Sequence, residues 1–194
     1  MISLPSRLGT EGSCNCVHCR LPFALLGCAA SLTAAGQSAK PPYVPFLMHL
    51  SVDAREASQE IVRARLQIPV SSGDETLVYP KWIPGEHGPT GPIANMTGLV
   101  IRAHGQLLPW RRDDIDMYAF HVEVPKGIFL LDVSLEFLAT AGPGAFISGA
   151  SVGNTFAVIN WNELLLYPKH RSGNSIVVDT QLQLCDGRHY GTAL

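Results

Sequence analysis

Between residues 79 and 98 the chain reads YPKWIPGEHGPTGPIANMTG, with four prolines and four glycines in twenty positions. Proline holds φ fixed and has no N–H to donate, while glycine admits backbone conformations closed to other residues. Such a stretch forms neither a helix nor a paired central strand. It is expected to run over the surface as a shaped loop between two strand-like segments. Trp82, Ile83, Ile93 and Met96 within it argue for packing against the domain. The indole of Trp82 is expected to be buried where the loop leaves the sheet, holding Pro84 and Gly85 in a fixed turn. Loops longer than about 12 to 15 residues are uncommon inside compact domains. When they pack, they usually contribute to a recognition surface.

The flanking sequence alternates. Phe46, Met48, Leu50 and Val52 share one face of a first segment, and Val62, Ala64, Leu66 and Ile68 share one face of a second. Tyr118, Phe120, Val122 and Val124 do the same, as do Phe129, Leu131, Val133, Leu135 and Phe137. A period of two marks half-buried strands. Residues 53–60 between the first two are polar and have room for a short helical turn or a hairpin loop. His104-Gly105 predicts a tight hairpin between strands at 99–103 and 106–110. Further strands are expected at 76–79, 155–161, 164–167 and 175–184, with a turn at Ser172-Gly173-Asn174. Nine or ten short strands without an amphipathic helix predict an all-β antiparallel sandwich with long Pro/Gly-rich loops.

With 46% hydrophobic and 15% charged residues and a formal net charge of -2, the chain suits one globular domain and not a disordered segment. No basic run points to nucleic acid, and no apolar run reaches the roughly 18 residues of a membrane-spanning helix. Residues 1–40 read as a leader and linker ahead of a domain at 41–194. Residues 21–35, LPFALLGCAASLTAA, follow Arg20 and end in Ala34-Ala35-Gly36, the pattern of an export signal cut near Gly36. This predicts a periplasmic or secreted protein. A buried helix of the domain is the alternative reading of the same run, and a lipoprotein attached through Cys28 is a further one. Cys14, Cys16, Cys19 and Cys28 all fall in the leader, which leaves Cys185 alone in the mature chain and no internal disulfide framework. Cys14-x-Cys16-x-x-Cys19 lacks the second ligand cluster of a structural zinc site.

The seven histidines include no His-Glu-x-x-His, and there is no Gly-x-Ser-x-Gly elbow, P-loop or dinucleotide fingerprint. His121-x-Glu123 places two ligand types on one strand face and reads as a solvent-facing pair. Asp113, Asp114 and Asp116 lack the glycine and distal glutamate of a calcium loop, and read as a solvated turn countered by Arg111 and Arg112. Glu86-His87 in the central loop could meet a substrate group or a metal, or be plain surface. No catalytic residue, metal ligand or cofactor is assigned to this chain.

Trp82-x-Pro84-Gly85, reached through Pro80, resembles a hallmark of the glycyl aminopeptidase family of zinc metallopeptidases, metallopeptidase family sixty-one. The order that follows is similar too: a Gly105-Gln106 turn, Leu108-Pro109-Trp110, an acidic loop, an aromatic strand, Leu166-Tyr167-Pro168, and Tyr190-Gly191-Thr192-Ala193-Leu194. The resemblance runs from about Tyr43 to Leu194 and is to the family's N-terminal β domain. It implies a non-catalytic domain that packs on a zinc catalytic domain bearing His-Glu-x-x-His. Trp82, Pro84, Gly85, Glu86 and His87 would then face the peptide substrate at the domain interface. Zinc belongs to that other domain, so the chain itself is expected to be inactive and to have been cut from something longer. Members often carry Ser-Tyr and a nearby arginine after Pro-Gly, where this chain has Glu86-His87 and no arginine before Arg102. The competing reading is a stand-alone secreted module that binds carbohydrate or protein through the same loop.

Overall fold

A computed structural model describes residues 45–83, 87–139, 151–152 and 155–192, all within one compact unit. The leader, with its cysteines and its export signal, lies outside the described residues. Cys185, which is described, is an exposed free thiol.

The alternating segments become strands in two stacked sheets. The first sheet contains β1 (Phe46–Asp53), β2 (Ile61–Pro69), β4 (Met96–Ala103), β5 (Gln106–Leu108), β8 (Leu130–Leu138) and β12 (Ile176–Gln183), in the order β12-β1-β2-β8-β4-β5. The second contains β3 (Gly73–Val78), β6 (Trp110–Arg112), β7 (Ala119–Val124) and β11 (Tyr167–Pro168), in the order β11-β3-β7-β6. A two-residue pair, β9 (Ser151–Val152) with β10 (Ala157–Val158), stands apart. All pairings are antiparallel except β1 with β12, which is parallel. The all-β sandwich expected from the alternation is the architecture observed.

The two inner faces make the core. Met48, Leu50, Val52, Val62, Ala64, Leu66, Ile68, Leu131, Val133, Leu135 and Phe137 project from the larger sheet, and Leu77, Phe120, Val122 and Val124 meet them from the smaller one. Each fully buried aliphatic or aromatic side chain contributes about 1.5 to 3 kcal/mol relative to exposure. Strand β2 pairs β8 without interruption from Ile61↔Leu138 to Pro69↔Leu130, so both inner rows stay in step. A one-residue slip would turn every one of these side chains to solvent.

Several segments differ from expectation for identifiable reasons. Residues 106–110 do not form one strand: Gln106–Leu108 pairs in the larger sheet and Trp110–Arg112 in the smaller. Pro109 between them has no N–H for either ladder, and the chain changes sheet there. Phe129 precedes β8 and is exposed, because the turn at Lys126-Gly127, with Gly127 at φ 83°, delays the strand until Leu130. Of residues 155–161 only Ala157–Val158 is strand, and Trp161–Leu164 forms a single 3-10 turn. The hairpin at His104-Gly105 is as expected, both residues having positive φ. Ala57–Gln59 supplies the short helical turn foreseen in the polar 53–60 segment.

Candidate functional site

The central loop is held by contacts that its own sequence does not advertise. Ile83, Ile93 and Met96 are buried as expected, but Trp82 is 63% exposed. Neighbours in extended backbone point to opposite sides, so burying Ile83 turns the indole of Trp82 outward. The expected anchor role for Trp82 is therefore incorrect. Pro84, Gly85 and Glu86 lie outside the described residues, and His87 is exposed.

What fixes the loop is its base. Tyr79, the residue after β3, is buried and donates its hydroxyl proton to the Glu163 carbonyl oxygen at 2.8 Å. Burial pushes that phenol well above its usual pKa. The Gly91 N–H donates to the Lys81 carbonyl at 2.9 Å, which joins the two ends of the loop. The hydroxyl of Tyr118 lies 2.9 Å from the Pro89 carbonyl oxygen and 3.0 Å from that of Gly91, clamping the returning limb. Lys81 sits 5.2 Å above the Tyr118 ring and 2.8 Å from Asp116 Oδ1. Only a glycine fits at position 91: a Cβ there would collide with the carbonyl oxygen of Pro80 and lie 3.1 Å from its carbonyl carbon.

The acidic turn likewise has partners other than those expected. Asp113 Oδ1 accepts the N–H groups of Ile115 and Asp116 at 2.9 and 2.8 Å, while Oδ2 is 2.8 Å from His121 Nε2. His121 Nδ1 is in turn 3.0 Å from Thr76 Oγ1. His121 is thus half-buried and engaged on both nitrogens, not a solvent-facing partner of Glu123. Arg112 is stacked 5.2 Å over Phe120, and among the described residues neither it nor Arg111 forms an ion pair with the turn. Asp is suited to this place because its short carboxylate can accept the N–H groups two and three residues on.

The N–H groups of Asp116 and Ile115, together with His121, hold the Asp113 carboxyl well below its ordinary value near 3.8. A carboxyl whose folded pKa is depressed adds stability that is complete above the unfolded value and is lost as pH falls through the folded one. Asp113→Asn should therefore be destabilised above pH 4 and should match the parent more closely at the most acid end. Denaturation midpoints measured from pH 6 down to pH 2 check this; parallel curves for the two proteins would show that Asp113 is not linked to folding.

No three His, Cys, Asp or Glu side chains among the described residues are grouped to hold a metal ion. The closest approach to such a set, Asp113 with His121, is consumed by internal hydrogen bonds. These residues do not fit a catalytic zinc, which needs about three protein ligands and an open position.

Exposed aromatic side chains cluster at one end of the sandwich. Beyond the smaller sheet, the inner faces of β1 and β12 floor a trench of about 1200 Å³. Met48, Leu50, Ile176 and Val178 form its base, and Trp82, Phe156, Trp161 and Tyr190 stand around it. Phe156 is 62% and Tyr190 71% exposed. The Arg188 guanidinium donates to the Thr155 carbonyl at 2.7 Å, tying one wall to the other. Exposed apolar surface of this extent marks an interaction site in a soluble domain. Phe156 and Tyr190 were not foreseen as lining a site, although Tyr190 opens one of the motifs of the resemblance; only the fold places them around the same trench as Trp82.

The described residues thus form a two-sheet β domain with an apolar end and no metal-ligand set. The same fold occurs in an aminopeptidase N family protein from Idiomarina loihiensis, with a TM-score of 0.60 and 16% identity over 71% of this chain and 22% of that one. An M1 zinc metallopeptidase from Deinococcus radiodurans aligns with a TM-score of 0.43 and 10% identity, over 72% of this chain and 32% of that one. No curated protein sequence matches the chain. Residues 49–194 match the Peptidase M61 N-terminal domain, and the chain belongs to that family.

Proposed function

We propose that this is the non-catalytic N-terminal β domain of an exported glycyl-aminopeptidase-like zinc metallopeptidase. In this reading the trench receives the zinc catalytic domain, and the loop from Trp82 to Met96 helps to wall the peptide substrate's cleft. The observation that carries it is the exposure of Trp82, Phe156 and Tyr190 around one trench at the end of the sandwich. Large aromatics are the residues that dominate the energetics of protein interfaces. Zinc would be held by the partner domain, and no step of hydrolysis is assigned to residues of this chain.

The test uses the catalytic domain of a family member supplied in trans. The chain alone should release no product from a glycyl or alanyl amide, with or without zinc, and should bind the catalytic domain in calorimetry. Trp82→Ala should weaken that binding at least tenfold while leaving the denaturation midpoint nearly unchanged. Undiminished binding by both Trp82→Ala and Tyr190→Ala would remove the trench from the interface.

Export is part of the proposal, resting on Arg20, the apolar run after it and Ala34-Ala35-Gly36. Protein recovered from the periplasm or medium should begin at or just after Gly36 by intact mass. Met1 retained on soluble cytoplasmic protein would overturn it, and a lipid-modified Cys28 would select membrane anchoring instead.

A further inference from the structure

The outer face of the larger sheet is hollow, enclosing about 960 Å³, and its side chains fall into three cross-strand rows. In the first row Asp179, His49, Gln67, Asp132 and Arg102 lie side by side on successive strands. Here His49 Nδ1 is 3.1 Å from Asp179 Oδ2, and Gln67 Nε2 donates to Asp132 Oδ1 at 3.3 Å. In the third row Arg63 lies between Asp53 and Glu136. It donates to Glu136 Oε1 at 2.9 Å and lies 2.8 Å from Glu56 Oε1, while Asp53 is taken by Arg55. The first row leaves Arg102 without an ion pair among the described residues, but the third row satisfies its own charges.

The middle row does not. It runs Gln181, Ser51, Arg65, Ser134, with Val100 beyond. Arg65 is exposed, and among the described residues no acidic oxygen lies within 4 Å of it. A guanidinium offers five donors in a planar fork suited to a carboxylate. Ser51 and Ser134 flank it from strands β1 and β8, so their backbones are about 10 Å apart at the usual strand spacing. One bare carboxylate can meet the guanidinium but cannot reach hydroxyls on both sides. Asp132, Glu136 and Asp179 on the same face balance Arg63, Arg65 and Arg102 in number, which disfavours a polyanion.

We infer that the Ser51–Arg65–Ser134 row is a binding site for an acidic sugar, a ligand with one carboxylate and hydroxyls arranged around it. A peptide fits less well. Strands β1, β2 and β8 are hydrogen-bonded on both sides within the sheet, so no strand can be added there. Hydroxyls of a sugar ring match the serine hydroxyls and the Gln181 amide, and the carboxylate takes Arg65.

The experiment is an amide-resolved NMR titration of the full chain with sodium glucuronate, against glucose and sodium acetate at matched ionic strength. Glucuronate should shift Ser51, Arg65 and Ser134 saturably, and glucose and acetate should bind at least tenfold more weakly. Arg65→Gln, at an exposed position, should keep the remaining spectrum and lose at least tenfold in affinity, whereas Arg112→Gln on the other sheet should not. The assignment fails if no saturable shift occurs on this face, if Arg65→Gln binds like the parent, or if acetate binds as well as glucuronate. None of these outcomes depends on the trench or on a catalytic domain.

Discussion

Gly91→Ala should lower the stability of the domain by about 3 kcal/mol, at the upper end of what overpacking usually costs. The added methyl meets the Pro80 carbonyl group and the Lys81 backbone, at 3.2 Å from its Cα, and neither can rotate away as a side chain would. Relief requires the two limbs of the central loop to separate. That movement breaks the Gly91 to Lys81 hydrogen bond and withdraws the carbonyls clamped by Tyr118. Hydrogen exchange should therefore accelerate first at Gly91 and Ile93, ahead of the sheets. A variant with unchanged midpoint and unchanged exchange would show that the loop base is pliable.

Phe120→Ala should cost more, about 3 to 5 kcal/mol, as large-to-small changes at buried aromatics do. The ring is fully buried between the sheets, edge-on to Trp110 with centroids 5.5 Å apart, and its outer strand neighbours are Leu77 and Arg112. Removing it leaves a void facing Trp110 and frees the Arg112 guanidinium that rests on it. With about 5 to 15 kcal/mol for a whole domain, this approaches unfolding at moderate temperature. Trp82→Ala, on the exposed side of the loop, should change stability by only about 0.5 kcal/mol. Urea melts of the two variants side by side decide the matter; equal losses would mean that exposure does not rank these two aromatics.

The strands were legible because burial on one face writes itself into every second residue. Val62, Ala64, Leu66 and Ile68 on β2, and Leu131 to Phe137 on β8, alternate without a break and sit where that alternation demands. Features set by distant contacts were not legible. The direction of Trp82 depends on Ile83 winning the inward position, and Tyr118 reaches the loop from 27 residues away. Asp113 looked like one of several like charges, yet its turn and its histidine single it out. The place where residues 106–112 change sheets was marked by Pro109, but a proline beside a strand does not say which sheet comes next. The trench was hidden for the same reason: Trp82, Phe156 and Tyr190 meet only through the fold. The Peptidase M61 resemblance was carried by an ordered set of short motifs, and the family match over residues 49–194 agrees with it.

The parallel pairing of β1 with β12 sets the order of events during synthesis. Phe46 lies against Ile176 and Asp53 against Gln183, partners 130 residues apart. At about 5 to 20 residues per second, β1 waits roughly ten seconds for the strand that covers its outer edge. Until then it presents unpaired N–H and C=O groups beside Met48, Leu50 and Val52, a template for other nascent chains. A nascent chain that has not yet released residues 176–183 therefore carries the β1 edge of the larger sheet open, a species for a chaperone to shield.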